Sequence, residues 1–251
     1  MSGFVWRPIT LTAIAVGLAA CGGASPSGEA AKSPGQIARD TAAATKSLRS
    51  FRLDGTLTDA EGFGRVTAEV AGPGRIHVAL RRASTTFEVI ALGSETYLKA
   101  SGSYYAGLPG LSSSQIGKLS DRWVKVPPSE DPGLRAGAAR ATNISVEVGC
   151  WAARQHGLRL AGTGRVAGRP AVIVANDGSA PGSAPGKVYV ATSGPAWPLR
   201  AIVTGPRRPG GTGACAEESS KQTSDITVSA FNQPIHLSAP AGALDLTKIT
   251  G

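Results

Sequence analysis

The chain of 251 residues has few aromatic residues, few cysteines and no long apolar run. Phe, Trp and Tyr together make up 5% of the residues, and there are three cysteines and one methionine. A core built from this composition contains mostly small side chains, which leave space under a large sheet. The longest apolar stretch, residues 9–18, is too short to span a bilayer, which needs about 20 apolar residues. We therefore expect no lasting transmembrane helix.

The motifs of common catalytic sites are also missing. There is no Gly-x-Ser-x-Gly elbow, no phosphate-binding glycine loop and no His-Glu-x-x-His pair. The three histidines, His77, His156 and His236, are far apart in the chain, and isolated histidines are more often structural than metal ligands. The sequence predicts a protein that is not an enzyme and that has no cofactor and no metal site.

The first twenty residues have the pattern of a bacterial lipoprotein signal. Arg7 is the only charged residue of this segment, and an apolar stretch and two alanines lead to Cys21. These are the three parts of an export signal. Leu-Ala-Ala-Cys resembles the lipobox, in which the cysteine is acylated and becomes the first residue. We expect removal of residues 1–20 and an acylated Cys21, carrying palmitate or a similar chain, that binds membrane lipid on the extracytoplasmic face of the cell membrane. A plain secreted protein is the alternative.

The segment after Cys21 differs in composition from the rest of the chain. Residues 21–32 are small and polar without periodicity, which is typical of a flexible tether. Residues 33–251 are enough for one large domain or two small ones, and we expect one.

The chain is basic, with a formal net charge of +9. Its basic residues are scattered, since only Arg81-Arg82 and Arg207-Arg208 are adjacent pairs. No stripe of alternating basic and aromatic residues, as found in single-strand binders, is present. The sequence therefore predicts no nucleic-acid partner, and an exported basic protein meets anionic lipid and wall polymers instead. We expect a monomer.

Two cysteines remain once Cys21 is acylated. Cys150 and Cys215 are expected to form a disulfide, because disulfides persist outside the cytoplasm and no Cys-x-x-Cys motif indicates redox chemistry.

The hydrophobic pattern predicts a mainly β protein of the α+β class. Ser33 followed by Pro34 predicts a helix start, with apolar residues at helical spacing up to Leu48. From residue 51 the period changes to two, and short turns join the strands into antiparallel meanders separated by helical segments within 108–157. About eleven strands are too many for one flat sheet, so we expect it to curl. The expected strands are 50–58, 64–72, 75–82, 85–92, 95–100, 122–127, 158–168, 169–177, 187–194, 198–205 and 225–232.

Several of these segments resemble a known family. They are SFRLDGTLT, ETYLKA followed by DRWVKVP, GRPAVIVAND, GKVYVATSGPAWPLRAIVTG and DITVSAFNQPIHLSAPAGALDL. Together they are similar to the LolA-like lipoproteins of actinobacteria, related to the mycobacterial LppX/LprG lipoprotein group, from Ser33 to Leu246. The resemblance implies a curled half-barrel sheet wrapped over helices, with an apolar cavity for lipid.

Two functions follow from this resemblance. The first is a membrane-anchored carrier or chaperone that binds a lipid or a lipoprotein acyl chain in an apolar cavity. The second is a non-enzymatic envelope module with a filled core that acts through protein contacts or signalling. An unfilled apolar cavity of some hundreds of Å³ would distinguish the carrier from the module.

The alternation along three expected strands predicts the lining of this cavity, although alternation alone leaves open which face is concave. The predicted lining residues are Ile76, Val78, Leu80, Phe87, Val89, Val172 and Val174.

Overall fold

The structure is a computed structural model that describes residues 28–127 and 132–250. Within these residues the chain forms one twelve-stranded sheet and six α-helices. The strands are β1 Phe51–Asp59, β2 Gly62–Val70, β3 Arg75–Arg82, β4 Thr86–Leu92, β5 Glu95–Ala100, β6 Val124–Val126, β7 Leu158–Val166, β8 Arg169–Asp177, β9 Pro185–Ala191, β10 Pro198–Val203, β11 Thr223–Ser229 and β12 Leu244–Asp245. The helices are α1 Pro34–Lys46, α2 Gly102–Ala106, α3 Ser113–Leu119, α4 Pro132–Ala141, α5 Ile144–Ala153 and α6 Thr247–Thr250.

The predicted signal, Cys21 and most of the predicted tether lie outside the described residues. The last part of that tether has defined structure, since Glu29–Ala31 forms a 3₁₀ helix. Lys32 Nζ lies 2.7 Å from Glu29 Oε1 and 2.7 Å from Asp40 Oδ2 on α1. The folded part therefore begins a few residues before Ser33.

Helix α1 begins where the sequence predicts. Ser33 is the N-cap, and its hydroxyl accepts a hydrogen bond from the backbone N–H of Gln36 at 3.3 Å, while Pro34 occupies the first helical position. Ile37 on this helix is fully buried and packs against Val172 and Val190 of the sheet. The apolar side of α1 thus covers the end of the sheet formed by β8 and β9.

The sheet consists of two antiparallel meanders joined in the middle. Its strand order is β12-β6-β5-β4-β3-β2-β1-β11-β10-β9-β8-β7. Strands β1 to β6 follow each other in space as in sequence, and so do β7 to β11. The pairing of β1 with β11, from Arg52 opposite Ser229 to Thr58 opposite Thr223, connects the two meanders. The predicted curled, mainly β sheet is confirmed, and it is open because β7 and β12 form its two edges.

The sequence analysis did not predict strand β12 or helix α4. β12 has only two residues and pairs with β6 in parallel, so it has no alternation that sequence could reveal. Helix α4 was not predicted because its sequence, PGLRAGAARA, contains a single large apolar residue, Leu134. None of the helices in the described ranges has the length and apolar character that a bilayer crossing requires.

One face of the sheet, which we call the inner face, carries the apolar side chains and the helices. The registers place Val78 opposite Ala68 and Val89, and Val174 opposite Val188. Three clusters of buried residues form on this face. The first joins β2 to β6 with α2, α3 and α4, the second lies around Phe51 and Phe231, and the third joins α1 to β8 and β9.

Candidate ligand-binding cavity

A cavity of about 780 Å³ lies between these clusters on the inner face. Its floor is formed by the central strands, and its other walls come from α4, α5 and the connection between β10 and β11, residues 204–222. This volume falls within the roughly 300–1,000 Å³ that is typical of ligand pockets. An unfilled space of this size is what the carrier requires, whereas the alternative module was expected to have a filled core.

The walls of the cavity are mostly apolar. They combine branched side chains from seven strands with the apolar side of α5. The large apolar residues that line it are Leu53, Leu57, Val66, Val78, Ile144, Val148, Trp151, Val174, Val188, Ile202, Val203, Ile226 and Val228.

The central apolar residues of the sheet lack packing partners above them. Leu57, Val66 and Ile226 are only half-buried, and none of them belongs to the three core clusters. In an ordinary core such residues contact other side chains on all sides and are close-packed. Here their inner-face atoms border empty space, so this region offers apolar surface that a ligand can cover.

Charged residues line part of the same cavity. Arg140, Glu147 and Lys187 are exposed, while Arg207 Nη1 lies 2.9 Å from Glu217 Oε1 in an ion pair within the β10–β11 connection. The guanidinium of Arg154 donates a hydrogen bond to the carbonyl of Cys215, and its burial lowers the pKa of Arg154. The apolar interior therefore has a polar margin that includes four basic and two acidic side chains.

The Cys150–Cys215 disulfide joins two walls of the cavity. Its S–S distance is 1.98 Å, and it connects α5 to the β10–β11 connection. The predicted pairing is thus present in the structure. Since α5 provides Val148 and Trp151 to the lining and the connection provides Glu217 and Ser220, the crosslink holds the two walls together.

The seven predicted lining residues share the inner face, but they do not share one site. Val78 and Val174 line the cavity. Ile76, Val78 and Val89 are buried in the first cluster, and Phe87 packs against it. Val172 is buried in the third cluster with Val174, and Leu80 is half-buried opposite Phe87. The predicted phase of each strand agrees with the register, whereas a ligand-binding role for these residues stays a prediction.

The sequence did not identify most of the cavity lining. Leu57, Val188 and Ile226 alternate within predicted strands, so their face could have been assigned, but their position between two helical covers could not. Trp151 and Val148 are apolar residues of a predicted helix. Their spacing of three residues was the available signal that both lie on one side of it.

Possible metal ligands do not cluster in the part of the chain that the structure describes. No group of three or more His, Cys, Asp or Glu side chains in residues 28–127 and 132–250 is placed to hold an ion. His77 instead lies on the outer face, with Nε2 at 3.4 Å from Glu88 Oε2, and His156 Nδ1 lies 2.8 Å from Ser179 Oγ.

No family model and no curated protein sequence match this chain. Several solved structures are similar to it. LprF from Mycobacterium bovis has a TM-score of 0.48 at 18% identity, over 87% of this chain and 100% of its own. The Mycobacterium tuberculosis lipoprotein LppX has a TM-score of 0.43 at 15% identity, over 82% and 98%. A LolA superfamily protein from Nitrosomonas europaea has a TM-score of 0.24 at 10% identity, over 83% and 96%. LppX, named in the group that the sequence resembles, is thus among the solved structures similar to this chain.

Proposed function

We propose that this protein is an extracytoplasmic lipoprotein that binds a lipid or an acyl chain in the cavity of the inner face and serves as its carrier or chaperone. The observation that supports it most is the unfilled volume of about 780 Å³ with branched apolar walls. Such a surface is unfavourable in water and becomes favourable when an apolar ligand covers it.

The energetics agree with an acyl ligand. Each methylene that leaves water contributes about 0.8 kcal/mol, so burial of about ten methylenes supplies roughly 8 kcal/mol before the costs of association. A dissociation constant near 1 µM corresponds to a net standard free energy of about −8 kcal/mol. A ligand must therefore bury more than about ten methylenes to reach this affinity once the costs of association are met, which favours a long acyl chain over a short one.

The second candidate is an envelope module that acts through protein contacts in the same compartment. It requires no internal space, and the observed cavity therefore favours the carrier. The two candidates differ in what is recovered with the purified protein. A carrier retains lipid, whereas a contact module retains none and binds through its surface.

Analysis of bound lipid tests this function. The protein, purified without detergent and analysed by native mass spectrometry and by lipid extraction, should carry a stoichiometric acyl-containing ligand. A variant with Val188→Asp, which places a charge on the cavity wall, should lose the ligand, whereas Lys99→Asp on the outer face of β5 should retain it. Wild-type protein that is free of lipid, and that takes none up from vesicles, would contradict the carrier.

The membrane anchor is a separate part of the proposal. Residues 1–20 act as a cleaved signal, acylated Cys21 anchors the protein, and the segment after it tethers one domain that works as a monomer. Two signals or two acyl chains give stable anchoring where one chain is marginal. Cys21→Ser should therefore move the protein from the membrane fraction to the soluble fraction without changing its circular dichroism. Continued sedimentation of the Ser variant with membranes would reject this anchor.

A further inference from the structure

A second, smaller cavity of about 220 Å³ lies next to the large one, at the start of β10 and the end of β11. The large cavity is lined along β10 from Pro198 to Val203 and along β11 from Ser224 to Val228. The small one is lined by Trp197, just before β10, and by Ser229 at the end of β11, together with Arg169 at the start of β8. Val228 is the single described residue that lines both.

An aromatic pair and one guanidinium dominate this small cavity. The rings of Trp197 and Phe231 stack with centroids 4.6 Å apart and an interplanar angle of 14°. The guanidinium carbon of Arg169 lies 5.4 Å from each of the two centroids. Equal distances to both rings mean that the guanidinium does not form a third layer of the stack. Its planar edge of N–H donors therefore remains available to a further group.

Two side chains at this cavity, Arg169 and Trp197, carry N–H donors that have no hydrogen-bond acceptor among the described residues. Among the described residues, the contacts of the Arg169 guanidinium are with the two aromatic rings and not with an acceptor, and the indole Nε1 of Trp197 is buried without a partner. Burial lowers the pKa of Arg169, and no carboxylate in the described part of the chain offsets that effect. The indole N–H of Trp197 is a buried donor that is unfavourable without an acceptor, since buried polar groups are normally paired, and the half-buried guanidinium of Arg169 beside it leaves its own donors open to a ligand.

The other lining residues restrict what this acceptor can be. They include no acidic side chain, and Arg169 is the only cation among them. One guanidinium balances a monoanion and presents two parallel N–H groups that match a carboxylate. A phosphate dianion would need further positive charge, which the lining does not provide. Leu199 and Val228 supply an apolar wall beside the donors.

We propose that this cavity binds a carboxylate carried on a small apolar group. In this site the guanidinium of Arg169 donates two hydrogen bonds to the carboxylate, the indole N–H of Trp197 donates a third, and the apolar group packs against Leu199 and Val228. Among the described residues the site shares only Val228 with the large cavity, and the proposal does not depend on the lipid-carrier function.

Titration of the purified full chain with three small probes tests this site. Propionate carries the carboxylate, propionamide is its neutral isostere, and methyl phosphate carries a different oxyanion. We expect propionate to change the fluorescence of Trp197 in a saturable manner and to raise the melting temperature. Propionamide and methyl phosphate should bind at least tenfold more weakly. The fluorescence of Trp197 is isolated by subtracting the response of the Trp197→Phe variant.

Substitutions of the donors sharpen the test. Arg169→Gln should weaken propionate binding at least tenfold, and Arg169→Lys, which keeps the charge but loses the two parallel donors, should weaken it about three- to tenfold. Arg165→Gln is the matched control, because Arg165 is an exposed residue of the same hairpin that does not line the cavity. It should bind propionate as the wild type does.

A purely structural role for Arg169 predicts different results. In that case Arg169→Gln lowers the melting temperature, but propionate has no specific effect on the wild type beyond that of chloride at equal ionic strength. That outcome, or equal binding of propionate and propionamide, or tighter binding of methyl phosphate, would overturn the proposal. The comparison of the three probes on the wild type remains decisive even where Arg169→Gln does not fold.

Discussion

Two regions of the inner face have the same kind of side chains but different surroundings. On the side of β3 to β6, Val89 is 2% exposed and Val124 is 1% exposed, and fully buried Leu119 of α3 packs in the same cluster. In the middle of the sheet, Leu57 and Ile226 alternate in the same way and stay half-buried. The strands are alike, so the difference comes from what covers them.

The cover of the two regions explains this difference. Helices α2, α3 and α4 contribute Tyr105, Leu119 and Ala138 to the first cluster. The middle of the sheet is faced by α5 and by the glycine- and proline-rich β10–β11 connection, which supply few large apolar side chains there. A cavity forms where the cover is too sparse to fill the concave face. The first region is thus closely packed, and the second leaves space that the proposed carrier function would use.

Removal of the disulfide should cause the largest loss in the free energy of unfolding, because the crosslink replaces packing in the sparsely covered region. Cys150 and Cys215 are 65 residues apart, and the loop-closure estimate gives about 4 kcal/mol for a crosslink of this span. The Cys150→Ser/Cys215→Ser double variant should lose most of that free energy of unfolding, measured by urea denaturation. Wild-type protein assayed with a reductant is the matched control and should behave like the variant. A loss below about 1 kcal/mol would show that the covering walls hold together without it.

Leucine-to-alanine substitutions in the two regions compare them directly. Leu119→Ala removes a fully buried side chain and should cost about 2–5 kcal/mol of stability through lost burial and a new void. Leu57→Ala removes a half-buried side chain that already faces empty space, and should cost about 1 kcal/mol or less. Both free energies are measured by denaturation of lipid-free protein. Equal losses would mean that the middle region is packed as tightly as the first.

The sequence predicted the alternation of the strand residues, but it did not predict which helices and loops cover the inner face. The eleven predicted strands all exist, since period-two alternation and glycine or proline turns are local signals. The same alternation grouped Val78 and Val174 with the apolar residues of their strands, although it left open which face is concave. The position of α4 depends on small residues whose contacts are tertiary, and alternation says nothing about which strand a helix will cover. Arg169 begins β8, Trp197 precedes β10 and Phe231 follows β11, so only the fold brings them together.

Tryptophan substitutions distinguish space from packing at neighbouring positions. Val78 is 5% exposed and belongs to the first cluster, although it also borders the cavity. Val78→Trp should overpack that cluster and cost about 1–3 kcal/mol. Ile226→Trp should instead occupy the cavity, reduce the recovery of bound lipid at least several-fold and leave stability nearly unchanged. Unchanged lipid recovery with Ile226→Trp would move the ligand away from this cavity.

The smallest effect concerns the outer face of the sparsely covered region, where an ion pair joins β10 to β11. Arg200 Nε lies 2.7 Å from Asp225 Oδ1, and the guanidinium hydrogen bonds lower the pKa of Asp225 below its ordinary value. A lowered carboxyl pKa contributes stability that is present above the unfolded-state pKa of about 3.9 and is lost as pH falls through the folded-state pKa. Because the pair is partly exposed and screened by solvent, we expect a loss of about 0.5–1 kcal/mol.

Asp225→Asn should lower stability by this amount at pH 7 and match the wild type at pH 2. The more exposed Arg65–Asp54 pair offers the control, and Asp54→Asn should change stability less. An equal difference between Asp225→Asn and the wild type at both pH values would show that the side chain acts through packing and not through its charge.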